Sequence, residues 1–282
     1  MSERVGKRVG ERVGLIAGSG RFPTLFAETA RRHGVEVFAV AHRGETDPEL
    51  ERVVEGLAWI YPGELDAMIT ALKDAGVRRT VMVGGIAKPK LFREFRPDAR
   101  AMALIARLGQ VRDDLVLRGV AAELEAEGIA VVESTVYLQE IVPGVGVLGA
   151  RPPTAAEWRD IRFGFRAAKV IGQFDIGQSV VVRMGAVIAV EGIEGTDATI
   201  RRAGELANGD IVLVKVCKPA QDTRFDLPAV GPGTVRALAQ VQGRALAIEA
   251  GRTVVLDREE MIALADRADV AVVAVDGTEG ER

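Results

Sequence analysis

Cysteine and histidine are almost missing from this chain. Its 282 residues include one cysteine, Cys217, and two histidines, His33 and His42. No internal disulfide can form, and a zinc site built from nitrogen and sulfur ligands lacks its donors, so any metal must be held by oxygen. A lone thiol fits a reducing compartment, and a cytoplasmic protein is the expectation. Aromatics make up 5% of the residues and the formal net charge is only −3. Base-stacking platforms and the electrostatic footprint of a nucleic-acid binder are thereby excluded. Long apolar runs are absent too: stretches such as Val270 to Val275 reach six residues, far short of the about 18 to 20 that span a bilayer. The opening MSERVGKRVGERVG is charged and has no apolar segment, so it is not read as a secretory signal.

What is present is ordinary globular material, 48% apolar and 27% charged, in a chain long enough for two domains that each bury a core. Residues 3 to 14 repeat an ERVG or KRVG phrase, and residues 1–12 are expected to be a disordered extension. From there short β-rich runs alternate with helical spacing: Arg12 to Ala17, a helix through Leu25, Phe26 and Ala30, Val35 to Val40, Leu57 to Ile60, a helix Glu64 to Lys73, and Thr80 to Val83. That alternation predicts a parallel, Rossmann-like α/β domain over 13–136, with ligands at the carboxyl ends of its strands. The proline- and glycine-containing stretch 137–153 reads as a linker. The segment 154–282 is expected to be a mixed α/β (α+β) domain. It has a helix from Thr154, a hairpin turning at Met184-Gly185, and a strand before Lys218-Pro219.

The candidate chemistry is concentrated after that strand. Nine residues place Lys218, Asp222, Arg224 and Asp226, and Gly231-Pro232-Gly233-Thr234 then opens onto a helix. Carboxylates interleaved with cations ahead of a glycine-rich helix start suit a Mg²⁺-bound phosphate ester, and they equally describe a solvated loop. A second acidic loop, Glu191 to Asp197, also follows a strand, and if the two strands are neighbours the loops converge. Thr196 or Asp197 can alternatively cap the next helix. Gly18-x-Gly20 after the first strand offers N–H groups to a nucleotide phosphate or to uracil, but Pro23 stands at the third glycine position and no ribose-binding acid follows strand two. A tight turn alone also accounts for it. Gly85 and Lys88 end another strand. Asp113 and Asp114 suit a helix start. His33 and His42 read as structural. Lys90, Arg93, Arg96 and Arg100, interleaved with Leu91, Phe92 and Phe95, either contact an anionic membrane surface or pack on protein.

Five segments, GLIAGSGRFP (14–23), GGIAKP (84–89), DIGQSVVV (175–182), AVEGIEGTDATIRR (189–202) and KPAQDTRFDLPAVG (218–231), together resemble the LpxI-type UDP-2,3-diacylglucosamine diphosphatase family. The likeness runs from about Val13 to about Gly277. It implies a two-domain enzyme of lipid A synthesis that uses Mg²⁺, or Mn²⁺ in its place, with the ligand in the cleft between the domains. The implied reaction hydrolyses UDP-2,3-diacylglucosamine to UMP and 2,3-diacylglucosamine 1-phosphate. In the (D/E)TRxDLP motif the family's essential aspartate falls on Asp226. On this reading Asp226 anchors the ion, and Asp197 or Asp222 is a second ligand or orients water. Lys215, Lys218 and Arg224 face the diphosphate, and Gly233 and Thr234 offer N–H groups to the sugar 1-phosphate. Gly18, Ser19, Gly20, Gly85 and Lys88 take UMP, and Gln178 and Thr196 are further substrate contacts. Contact with a membrane surface and a homodimer are left open. The rivals are a nucleotide-sugar or glycolipid binding protein without chemistry and an NAD-linked oxidoreductase.

Overall fold

A computed structural model describes residues 12–85, 95–109, 113–133, 135, 138, 141–225 and 227–278. The repeat up to Glu11, the stretch carrying Lys88, Lys90 and Arg93, and Asp226 lie outside the described residues. The chain divides into two compact units. One comprises Met1–Leu138 with Asp222–Asp226, and the other Gln139–Gln221 with Leu227–Arg282.

In the first unit the strands are β1 (Arg12–Ala17), β2 (Glu36–His42), β3 (Gly56–Ile60), β4 (Arg79–Val83) and β5 (Ala130–Val131), all parallel, in the order β3-β2-β1-β4-β5. The helices are α1 (Phe22–Arg32), α2 (Leu65–Asp74), α3 (Ala99–Leu108) and α4 (Asp113–Ala126). Alternate strand residues point to opposite faces. Ile16, Val40, Met82 and Val131 pack with Met68, Ile69 and Leu72 of α2, Leu104 of α3 and Leu124 of α4. On the other face Leu15, Ala39 and Val81 are buried, and α1 turns Phe22, Phe26, Ala27 and Ala30 inward. Phe225 belongs to the first of these cores and is 5% exposed. Burying such a ring stabilises by about 1.5–3 kcal/mol, which explains why residues 222–226 count with this unit although they are remote in sequence.

The second unit has a six-stranded sheet in the order β6-β13-β11-β9-β7-β8. Its strands are β6 (Gly146–Val147), β7 (Ser179–Arg183), β8 (Ala186–Val190), β9 (Val212–Lys215), β11 (Ala245–Glu249) and β13 (Ala271–Val275), while β10 (Ala229–Val230) and β12 (Val254–Val255) pair separately. Strands β9, β11 and β13 are parallel, and β6, β7 and β8 join antiparallel. The stretch read as a linker therefore contributes an edge strand. Helix α5 (Ala155–Gln173) begins with a Thr154–Glu157 capping box and covers one face. Gly164 lets it approach closely, since a Cβ there would stand 2.7 Å from a methyl of Val214. Helices α6 (Thr196–Ala207), α7 (Pro232–Gln240) and α8 (Arg258–Arg267) cover the other face through Ile200, Val235, Leu238 and Met261. The Met184-Gly185 turn has both residues at positive φ, and Asp160 of α5 accepts their N–H groups at 2.8 and 2.7 Å. Because β8 is the hairpin partner of β7, it lies on the far side of β7 from β9. The strands preceding the two acidic loops are therefore not neighbours.

Candidate active site

In the first unit the strand order turns at β1 and β4, where a parallel sheet opens a crevice at its carboxyl edge. The loops leaving these strands are laced together. Gly18 N–H donates to Val83 O at 2.8 Å, and Ser19 donates to Gly85 O through both its N–H, at 2.7 Å, and its hydroxyl, at 2.8 Å. Contact is so close that a Cβ on Gly18 would sit 2.5 Å from Gly85 O, and one on Gly84, whose φ is +85°, 2.6 Å from Ser19 O. Glycine at both positions follows from that packing. Beneath them His42, with its pKa lowered by burial, donates from Nδ1 to Ala17 O at 2.9 Å, and the Thr46 hydroxyl donates to the same carbonyl at 2.7 Å. A Cβ on Gly20 or Gly85 would meet open space, so the backbone there can be approached by a ligand.

In the second unit, helices α6 and α7 each lead back to the start of the next parallel strand, β9 and β11, which places their N-termini at the carboxyl ends of those strands. Neither has a side-chain cap: the N-cap residues are Gly195 and Gly231. Uncapped first-turn N–H groups are donors for an anion. Thr196 heads α6 but its hydroxyl donates to Glu191 Oε1 at 2.7 Å and accepts from Lys215 Nζ at 2.9 Å. It is therefore a link between two charges, where a cap was one expected role. Both charged side chains are buried, Glu191 at 7% and Lys215 at 8% exposure. Gln178 closes the cluster, with its carbonyl accepting from Val216 N–H at 2.9 Å, and its buried Oε1 has no hydrogen-bond partner among the described residues. The Ser179 hydroxyl, paired opposite Lys215 across β7 and β9, is likewise unsatisfied. Asp197 is exposed in the first turn of α6, and Gly233 and Thr234 lie in the first turn of α7.

The other described cations named from the sequence, Lys218, Arg224, Arg96 and Arg100, are engaged. Lys218 Nζ lies 2.6 Å from Asp175 Oδ1. Arg224 donates to both oxygens of Asp222, at 3.0 and 2.9 Å, and to Glu125 at 3.1 Å. Its hydrogen bonds hold the Asp222 carboxyl below the usual range. Arg96 stacks 3.6 Å from the Tyr61 ring centroid, and Arg100 pairs with Asp66, Glu123 and Glu127. These two are thus packed on protein. Among the described residues no group of three or more His, Cys, Asp or Glu side chains is placed to hold a metal, and no helix is long and apolar enough to cross a membrane. Sequence reasoning missed one cluster altogether: Lys169 and Glu249, 2.6 Å apart, which hold Cys217. The available signal was an acid closing the apolar strand ALAIE at its carboxyl end.

Family comparison matches residues 12–141 to the LpxI N-terminal domain and residues 144–273 to the LpxI C-terminal domain. A protein of Caulobacter vibrioides, UDP-2,3-diacylglucosamine pyrophosphatase LpxI, is 34% identical over 279 residues, which is 95% of this chain and 99% of the relative. The chain belongs to the LpxI family. Its two LpxI domains meet at residues 141–144 in sequence, so the Gln178, Glu191, Thr196 and Lys215 cluster lies in the LpxI C-terminal domain and the Gly18 and Gly84 loops in the LpxI N-terminal domain. Among solved structures, glycinamide-RNase-transformylase T from Mycobacterium tuberculosis is 14% identical over 64% of this chain and 44% of its own, with a TM-score of 0.22. That superposition is too poor to carry an argument.

Proposed function

We propose that this protein hydrolyses the pyrophosphate bond of UDP-2,3-diacylglucosamine in a Mg²⁺-dependent reaction, releasing UMP and 2,3-diacylglucosamine 1-phosphate. The observation that carries this reading is the full-length likeness to the Caulobacter pyrophosphatase, 34% identical over 95% of the chain. Attack of water on a pyrophosphate is slow because anionic oxygens repel the nucleophile and the leaving phosphate must spread its charge. Catalysis is then mostly positioning and charge neutralisation. A buried ammonium at Lys215, bonded to Thr196 at the uncapped N-terminus of α6, supports that role chemically. We assign Lys215 to the diphosphate, Gly233 and Thr234 to the sugar 1-phosphate, and Thr196 and Gln178 to substrate contact and to the orientation of Lys215. Gly18, Ser19, Gly20 and Gly85 are assigned to UMP. Lys218 and Arg224 share the cationic role only if substrate displaces the carboxylate each one holds.

Donor chemistry fits the metal. A magnesium ion commonly takes one or two carboxylates and completes its shell with water and substrate phosphate, so a dedicated cage is not required. Asp226 is assigned as the anchoring carboxylate, with the exposed Asp197 as a second oxygen donor; Asp222, already held by Arg224, is the weaker candidate. When bound, the ion supplies Lewis-acid charge to the phosphoryl oxygens. The test is UMP release by purified protein with and without Mg²⁺, alongside Asp226→Ala. The variant is expected to stay folded and bind the glycolipid while losing turnover. Near-normal turnover of Asp226→Ala rejects its assignment, and substrate binding without any UMP release by the parent protein supports a binding protein instead.

A further inference from the structure

Strand β9 ends at Lys215, and its ladder runs out two residues later. Val216 N–H still finds Gln178 O at 2.9 Å. On the other side β11 also ends, at Glu249, and Ala250 N–H turns away to Val275 O at 2.8 Å. Both peptide groups of Cys217 are instead taken by side chains. Its N–H donates to Glu249 Oε2 at 2.8 Å, its carbonyl accepts from Lys169 Nζ at 2.8 Å, and Lys169 and Glu249 join at 2.6 Å. Lys169 rests 5.5 Å from the Phe165 ring centroid, and Arg252 Nε approaches Glu249 Oε1 at 3.8 Å. The backbone is thus gripped from both sides at the residue before Lys218-Pro219, where the chain leaves the sheet ahead of residues 222–226, which count with the first unit. Its return is pinned as well, by Val254 N–H on Pro228 O at 2.8 Å and by the β10–β12 pair.

A largely buried ion pair is weak evidence for stability, because apolar residues of similar volume often serve as well. A grip on one peptide group sets position in a way apolar packing cannot. We propose that Lys169 and Glu249 are positioning residues that fix where the loop carrying Lys218 to Asp226 departs from the sheet. This rests on the pyrophosphatase reading, in which that loop bears the anchoring aspartate. A shift of about 1 Å in a catalytic group can cost about 10²-fold in rate.

Cys217 is the single cysteine of the chain and is fully buried, with its thiol pKa pushed up by burial. Its labelling reports release of the loop when it is faster in variants of both residues, because Glu249 raises and Lys169 lowers the thiol pKa and electrostatics alone would move the two in opposite directions. Glu249→Ala, Lys169→Met and Lys169→Arg are compared with the parent full-length protein in two assays: UMP release from UDP-2,3-diacylglucosamine with Mg²⁺, and labelling of Cys217 by a small thiol reagent under native conditions. Asp160→Ala, which unties the distant hairpin turn, is the control for plain loss of stability. The expected result is a kcat lower by about 10²-fold for Glu249→Ala and Lys169→Met, with Cys217 labelled about tenfold faster through local opening. Lys169→Arg retains most activity, and Asp160→Ala changes the melting temperature but neither readout. Parent-like labelling or parent-like kcat in Glu249→Ala and Lys169→Met overturns the proposal, as does an equal effect from Asp160→Ala. Failure of the parent protein to release UMP counts against the pyrophosphatase reading, and the labelling contrast still decides the grip.

Discussion

Lys215→Met separates a chemical role for the buried ammonium from a structural one. Lys215 and Glu191 are each under one-tenth exposed, and they are joined through the Thr196 hydroxyl by contacts of 2.9 and 2.7 Å. Methionine keeps most of the volume but leaves Glu191 buried without that counter-charge. Removing one partner of a buried pair costs about 3–5 kcal/mol, and the intervening hydroxyl places this case near the lower end, about 3 kcal/mol. A domain with ordinary stability survives that loss. Making the network neutral with Lys215→Met/Glu191→Gln should recover most of it, because neutral replacement of a buried pair is often close to free of cost. Activity should behave differently. A preorganised donor to developing phosphoryl charge is worth about 10²–10³ in kcat, and no change at residue 191 restores an ammonium. Urea unfolding and initial rates of UMP release on the same preparations read the two effects. The expected pattern is a double variant that regains stability and stays slow. Recovery of both, or near-normal turnover in Lys215→Met, refutes the assignment of Lys215 to the diphosphate.

Gly84→Ala should weaken UMP binding and lower the melting temperature. Its φ of +85° and a Cβ 2.6 Å from Ser19 O push the two glycine loops apart, and left-handed geometry alone costs a non-glycine residue about 1–2 kcal/mol. Calorimetric titration with UMP checks this, and an unchanged affinity contradicts the role given to these loops. Glu127 is predicted to make acid stability of the first unit pH-dependent. Hydrogen bonds from Arg100 and then Lys73 lower its pKa from 4.5 to about 2. A depressed carboxylate contributes above its unfolded pKa and loses that contribution as pH falls through the folded value. Melting curves of the parent protein and Glu127→Gln should therefore differ near neutral pH and converge below about pH 2. A gap that persists in acid rules out the linkage.

Much of the architecture was legible because local signals and burial agree. Alternating strands and helices gave a parallel first sheet, and Met184-Gly185 marked a hairpin. Strand order was not legible, and it mattered: β7 lies between β8 and β9, so two acidic loops that follow apolar strands do not leave neighbouring ones. Nor did the sequence reveal that residues 222–226 belong with the first unit, since the contacts that tie them there, Phe225 in its core and Arg224 on Glu125, join residues remote in sequence. At the site, Lys215 and Thr196 were named from the sequence and Glu191 was read as part of an acidic loop, but the Thr196 hydroxyl that joins Glu191 to Lys215 was not legible. The burial of Glu191 depends on packing between β8, α6 and β9 that no local pattern encodes. Lys169 was hidden for the same reason: it lies one residue beyond the apolar stripe of Ile161, Phe165 and Ala168 on α5.

The most direct test of the central claim is product identification by mass spectrometry after incubating the full-length protein with UDP-2,3-diacylglucosamine and Mg²⁺. The account predicts UMP and 2,3-diacylglucosamine 1-phosphate in equal amounts, and neither when the metal is chelated. Release of UDP with a free reducing sugar, or unchanged substrate in the presence of metal, contradicts it.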